Sequence, residues 1–88
     1  MTEKEILEQT RGFMTESFLY MRPGFVLGDD DKLMEKGVID SMGVLELMEF
    51  LQTSFGVAFS DDDITEDNLG TLSSIARFVS AKRSRNGA

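Results

Sequence analysis

The 88-residue chain contains no cysteine, no histidine and no tryptophan, and only one proline and one tyrosine. Without cysteine there are no disulfides, thiolate metal sites or cysteine nucleophiles. Without histidine the commonest general base and the commonest transition-metal ligand are both missing. Positive charge is scarce as well: nine Lys and Arg face sixteen Asp and Glu, for a formal charge of −7. A surface of that sign repels nucleic acid, whose binding requires basic neutralisation of phosphates. It attracts basic protein surfaces and speeds encounters with them. No apolar run approaches the roughly 20 residues that span a bilayer. The first residues, Met1-Thr2-Glu3-Lys4-Glu5, have neither the basic flank nor the apolar run of a signal peptide. The expectation is a monomeric cytoplasmic protein with no membrane span and no nucleic-acid partner.

What is present is distributed unevenly. Residues 29–67 hold twelve acids against Lys32 and Lys36, whereas residues 77–85 hold Arg77, Lys82, Arg83 and Arg85 and no acid. A chain of this length makes one domain with an economical core. That domain is expected over residues 1–80, with 81–88 as a flexible basic tail fraying from Ser80.

Apolar residues recur at helical spacing through most of the chain. Ile6, Leu7, Phe13, Met14, Phe18 and Leu19 predict an amphipathic helix over Glu3 to Tyr20, with Glu3, Glu5 and Glu8 suited to the positive end of its dipole. Pro23-Gly24 ends it. Residues 21–40 follow as a long, mostly irregular loop, unusual in a compact domain and therefore a place to look for function. Phe25, Val26, Leu27, Leu33, Val38 and Ile39 predict that this loop is pinned to the core, with one short helical turn around Lys32 to Glu35. Val44, Leu45, Leu47, Met48, Leu51 and Phe55 predict a second helix over Ser41 to Phe55, stopped by Gly56. Ser60-Asp61-Asp62-Asp63 has the form of a capping box opening a short third helix, about Asp61 to Asp67. Thr71 can cap a fourth, in which Leu72, Ile75, Ala76 and Val79 follow the i, i+3, i+4, i+7 pattern. With no strand-like alternation, the fold class is all-α: a small bundle of three longer helices and one short one, with a long loop between the first two.

The stretch that points to chemistry is Gly37-Val38-Ile39-Asp40-Ser41-Met42. Glycine can turn the chain in the left-handed conformation, two aliphatics anchor it, and Asp-Ser opens a helix. One reading of Asp40 or Ser41 is a plain N-cap. The other is a serine presented at the positive end of a helix dipole, where a phosphodiester on its hydroxyl is favoured. The aspartate triplets at 29–31 and 61–63 fail as calcium loops. The sixth and twelfth places, which need glycine and glutamate, hold Met34 and Asp40 in one case and Glu66 and Leu72 in the other. A hydrolase built on Ser41 lacks a histidine and a G-x-S-x-G elbow.

From about Ile6 to Val79 the sequence resembles the acyl carrier protein superfamily, which includes peptidyl, aryl and D-alanyl carriers. The resemblance is strongest over residues 37–57 and weaker over 68–79. It implies a small four-helix bundle of the acyl-carrier type that is not itself an enzyme. It makes Ser41 the attachment point of phosphopantetheine, transferred from coenzyme A by a phosphopantetheinyl transferase. The arm's thiol would then hold acyl or aminoacyl groups as thioesters between a loading ligase and downstream acyltransferases or synthases with basic docking surfaces. Asp40, Met42, Glu46 and Glu49 are the expected docking residues, with Asp61 to Asp63 nearby. Met42 stands where leucine is usual, and Gly43 where many fatty-acid carriers have an acid. Gly43 thus points away from a fatty-acid synthase and towards a specialised, free-standing carrier. Met48, Phe50 and Leu51 are candidates for a cargo cleft between the second and third helices, although core packing is the better reading of Met48 and Leu51, because a small bundle needs every such side chain. Phe50 is bulky enough to close such a cleft. The alternative is a docking module with the same fold that is never modified.

Overall fold

The computed structural model describes residues 1–86, which form α1 (Glu3–Phe18), α2 (Ser41–Phe55), a single 3₁₀ turn (Asp61–Asp63), α3 (Glu66–Leu69) and α4 (Leu72–Asn86). The all-helical bundle of three long helices and one short one is as the sequence implies. The boundaries differ in detail: α1 stops at Phe18, and the segment expected as one short helix is a 3₁₀ turn followed by α3.

Helix α1 begins at a capping box in which the Glu5 N–H donates to Thr2 Oγ1 (3.1 Å) and the Thr2 N–H to Glu5 Oε1 (2.9 Å). Its buried stripe is Ile6, Thr10 and Met14, spaced by four. Thr10 is tolerated inside because its hydroxyl donates to the Ile6 carbonyl at 2.7 Å. This stripe packs chiefly on α4, where Leu72, Ile75, Ala76 and Val79 are fully buried. Leu47, Leu51 and Phe55 of α2 complete the core.

Gly12 lies exposed in the middle of α1, and a Cβ built there meets nothing within 4 Å. Replacing it with alanine removes the backbone entropy that glycine loses on folding. Gly12→Ala is expected to raise stability by about 0.5–1 kcal/mol in urea unfolding. A loss instead would mean that the backbone at Gly12 is needed bare.

The loop between α1 and α2 is held at several points. Arg11 donates to the Leu27 carbonyl and pairs with Asp29. The Leu33 N–H donates to the Gly70 carbonyl (2.9 Å) and the Ser73 N–H to the Asp29 carbonyl (2.9 Å). Leu27, Leu33, Val38 and Ile39 are buried. One helical turn forms where expected, closed by Lys36 N–H to the Lys32 carbonyl at 2.9 Å. Val26 is the exception to the expected pinning: it is 84% exposed. Its neighbour Phe25 is half-buried under the Arg22 guanidinium, 4.2 Å from the ring centre.

Residues 80–86 of the segment expected to fray are helical: α4 continues to Asn86. Its last turns are held by tertiary partners. Lys82 pairs with Asp63 at 2.9 Å, with its ammonium beside the Phe59 and Phe78 rings. Arg83 donates to the Phe55 carbonyl, satisfying one of the free acceptors at the end of α2. Residues 87–88 of the expected tail lie outside the described residues.

The same contact creates an acid sensitivity. The Asp63 carboxyl is held below the ordinary aspartate value, first by the Ser60 N–H and then by Lys82. A carboxyl lowered in the folded state stabilises above its unfolded pKa, near 3.9, and that contribution is lost as pH falls through the folded value. Urea midpoints are therefore expected to drop below about pH 4, and to drop less in Asp63→Asn. Parallel acid limbs for the two proteins would rule the linkage out.

Candidate functional site

The chain enters the site through Gly37, whose φ of 70° lies in the left-handed region that glycine tolerates. Val38 and Ile39 then bury their side chains, fixing where α2 must start. The Val38 N–H donates to the Leu33 carbonyl at 2.9 Å, which ties this entry to the pinned loop.

At the start of α2 the two polar residues have separate positions. Asp40 is the N-cap: its backbone is extended, Oδ1 accepts from the Gly43 N–H at 2.8 Å, and its carbonyl accepts from Val44 at 3.1 Å. Ser41 is the first helical residue, exposed, and its hydroxyl is in no hydrogen bond among the described residues. With Gly43 N–H taken by the cap, the N–H groups of Ser41 and Met42 have no acceptor within the helix. An exposed, unengaged hydroxyl beside free donors and a positive dipole end is suited to carrying a phosphodiester.

Gly43 is explained by packing. A Cβ there would sit 3.1 Å from Phe18 Cε1 and 3.1 Å from Ile39 Cβ. Phe18 closes the end of α1 against this bare spot on α2, so a side chain at 43 would require the ring and Ile39 to give by a few tenths of an ångström.

The expected docking residues are only partly alike. Met42 is 70% exposed, and Glu46 and Glu49 are exposed one and two turns further on, on the same stripe of α2. Neither glutamate is in an ion pair among the described residues. The Asp40 carboxylate, in contrast, is occupied as a cap. Asp61 and Asp62 are exposed, but Asp63 is engaged by Ser60 and Lys82. In the other acidic triplet, Asp29 pairs with Arg11 and Asp31 accepts from the Gly28 N–H.

Of the three candidate cleft residues, Met48 and Leu51 take the core positions that were the better reading, and the cleft reading of Phe50 is corrected. Phe50 is turned towards α1, stacked on Phe13 with ring centres 4.2 Å apart, and so neither lines nor closes a cleft beside α3. Leu51 is buried in the core and Met48 packs against it. The hollow between α2 and α3, of about 270 Å³, is lined instead by Met34, Val44, Ile64 and Leu69 among others. Val44 was legible as the residue one turn beyond Ser41. Met34 and Ile64 were not, because each lies in an irregular segment where no periodicity assigns a side chain to a face.

A sequence model of the family described as "Phosphopantetheine attachment site" matches residues 16–79, which takes in the loop, the Asp40-Ser41 pair and all of α2 and α3. No individual curated protein matches the chain in sequence. The match covers most of the chain, and the structure within it is the helical bundle, with a free serine hydroxyl at a helix start that could accept the covalent group defining the family. The chain belongs to the phosphopantetheine-attachment family, within the acyl carrier protein superfamily.

Proposed function

We propose that this is a free-standing, non-catalytic carrier of acyl or aminoacyl groups, working as a single domain, with phosphopantetheine attached at Ser41. The observation that carries the reading is the division of labour at the start of α2. Asp40 caps the helix, so the Ser41 hydroxyl is left exposed and unengaged. When bound, the group supplies a terminal thiol that holds cargo as a thioester. The chain contributes a rigid attachment point, a partly positive helix end for the phosphodiester, and an acidic face that steers basic partners. Tethering raises the effective concentration of cargo at each partner in turn. The partners are a phosphopantetheinyl transferase, an acyl- or aminoacyl-loading ligase, and a downstream acyltransferase or synthase, docking over Met42, Glu46 and Glu49. The chain has no histidine to pair with Ser41, so the chemistry falls to those partners.

The test is an intact mass after incubation with coenzyme A, magnesium and a broad-specificity transferase, followed by fragmentation. One phosphopantetheine per chain is expected, located on Ser41. No gain with several transferases, from protein shown to be folded, overturns the carrier reading and leaves an unmodified docking module.

A further inference from the structure

Methionine is the only sulfur-bearing residue in this sequence, which has six of them and no cysteine. The fold sorts them sharply. Met14 is fully buried and Met48 packs against the core, whereas Met1, Met21, Met34 and Met42 are exposed. Two of the exposed four converge on the attachment point. Met34 and Met42 line one open depression, of about 640 Å³, whose lining also includes Gly37 and Asp40. Met34 comes from the helical turn of the pinned loop, and Met42 from the first turn of α2, directly after Ser41. Side chains in a helix lean towards its N-terminus, which sets the Met42 thioether back towards the end that carries Ser41.

We infer that Met42 is an oxidation site that gates phosphopantetheine attachment, with a hydroperoxide as the oxidant. The inference rests on the carrier reading and adds a control to it. The reaction is a two-electron oxygen transfer. The Met42 sulfur gives an electron pair to a peroxide oxygen, a sulfur–oxygen bond forms and the oxygen–oxygen bond breaks. Hydrogen peroxide is reduced to water and the thioether is oxidised to the sulfoxide. Two thiols of a sulfoxide reductase reverse it, carrying the oxygen off as water and becoming a disulfide. The added oxygen changes the side chain from flexible and apolar to polar. A transferase that reaches the Ser41 hydroxyl also covers its exposed neighbour Met42. Covering a thioether is favourable, whereas covering a sulfoxide strips water from an acceptor that has no matching donor. The other flank of Ser41 offers no equivalent target, since the Asp40 carboxylate is already the helix cap. Because Met42 is exposed, the new oxygen stays in water in the free protein and leaves the core intact.

The experiment treats the unmodified full chain with hydrogen peroxide and removes the peroxide. Peptide mass mapping then locates the sulfoxides, and intact mass follows the rate of transferase modification. Met42 is expected to oxidise well before Met14, with the urea midpoint nearly unchanged. Attachment to the oxidised chain should slow by roughly three- to thirtyfold, the cost of hiding one polar group in an apolar contact. Met42→Leu, a volume-conserving change, should be modified at the same rate before and after peroxide. Met34→Leu should still slow, and enzymatic reduction of the sulfoxide should restore the original rate. Equal slowing of peroxide-treated Met42→Leu, or a Met42 as resistant as Met14, would overturn the gate. No attachment to untreated protein sinks the carrier reading and the gate with it. Full-rate attachment to chains shown to carry the Met42 sulfoxide sinks only the gate.

Discussion

Ser41→Ala is expected to abolish phosphopantetheine attachment completely while changing stability by no more than about 0.5 kcal/mol. The Ser41 side chain is exposed and in no hydrogen bond among the described residues, so its loss leaves no buried group unpaired. Alanine is also the better helix former at that position. Asp40→Ala makes the converse expectation. It removes the acceptor for the Gly43 N–H, and its cost should be about 0.5–2 kcal/mol, as for other lost N-caps. Intact mass and urea unfolding on the two variants separate handle from cap. Equal destabilisation by both substitutions would make Ser41 a structural residue, and retained attachment in Ser41→Ala would move the site elsewhere.

Leu33→Ala is expected to cost about 2–5 kcal/mol, as much as a core position within a helix, although Leu33 lies in irregular chain. Its side chain is 0% exposed, its N–H donates to the Gly70 carbonyl, and its own carbonyl accepts from Val38 and, at 3.4 Å, from Ile39. It therefore joins the α3–α4 junction to the strap that positions Asp40 and Ser41. At about 0.05–0.15 kcal/mol per residue, a domain of this size has little stability to spare for such a loss. Val26→Ala, in the same loop, should stay within about 0.5 kcal/mol because Val26 is largely in water. Urea unfolding of the pair is the check. Similar costs at both positions would mean that the loop is held as a body rather than through Leu33. Slower modification of Leu33→Ala, measured where it is still mostly folded, would link the pin to the site.

The sequence by itself determined whatever depends on neighbours along the chain. The periodicity of Leu72, Ile75, Ala76 and Val79 defines a buried helix stripe, and Gly56 stops α2 because only a few following residues decide a left-handed cap. Gly37 to Met42 marked the candidate site for the same reason, since the turn, the anchors and the helix start are all local. Only the tertiary structure decided between Asp40 and Ser41 as the cap, because both residue types serve and the outcome turns on which one the buried Val38 and Ile39 leave extended. It also decided where Phe50 points. Helical spacing places that ring on the flank of α2, but Phe13, 37 positions earlier, draws it towards α1. Helix α4 outlasts its apolar pattern for a similar reason. Lys82 and Arg83 read as a solvated tail until α4 packs beside Asp63 and the Phe55 carbonyl. The bareness of Gly43 has a neighbour along the chain in Ile39, four residues earlier, but its other close partner is Phe18 on another helix, which only the fold brings there. Periodicity and capping act over one helical turn and are written in the chain. Choices among side-chain partners depend on which helices meet, and only the fold determines that.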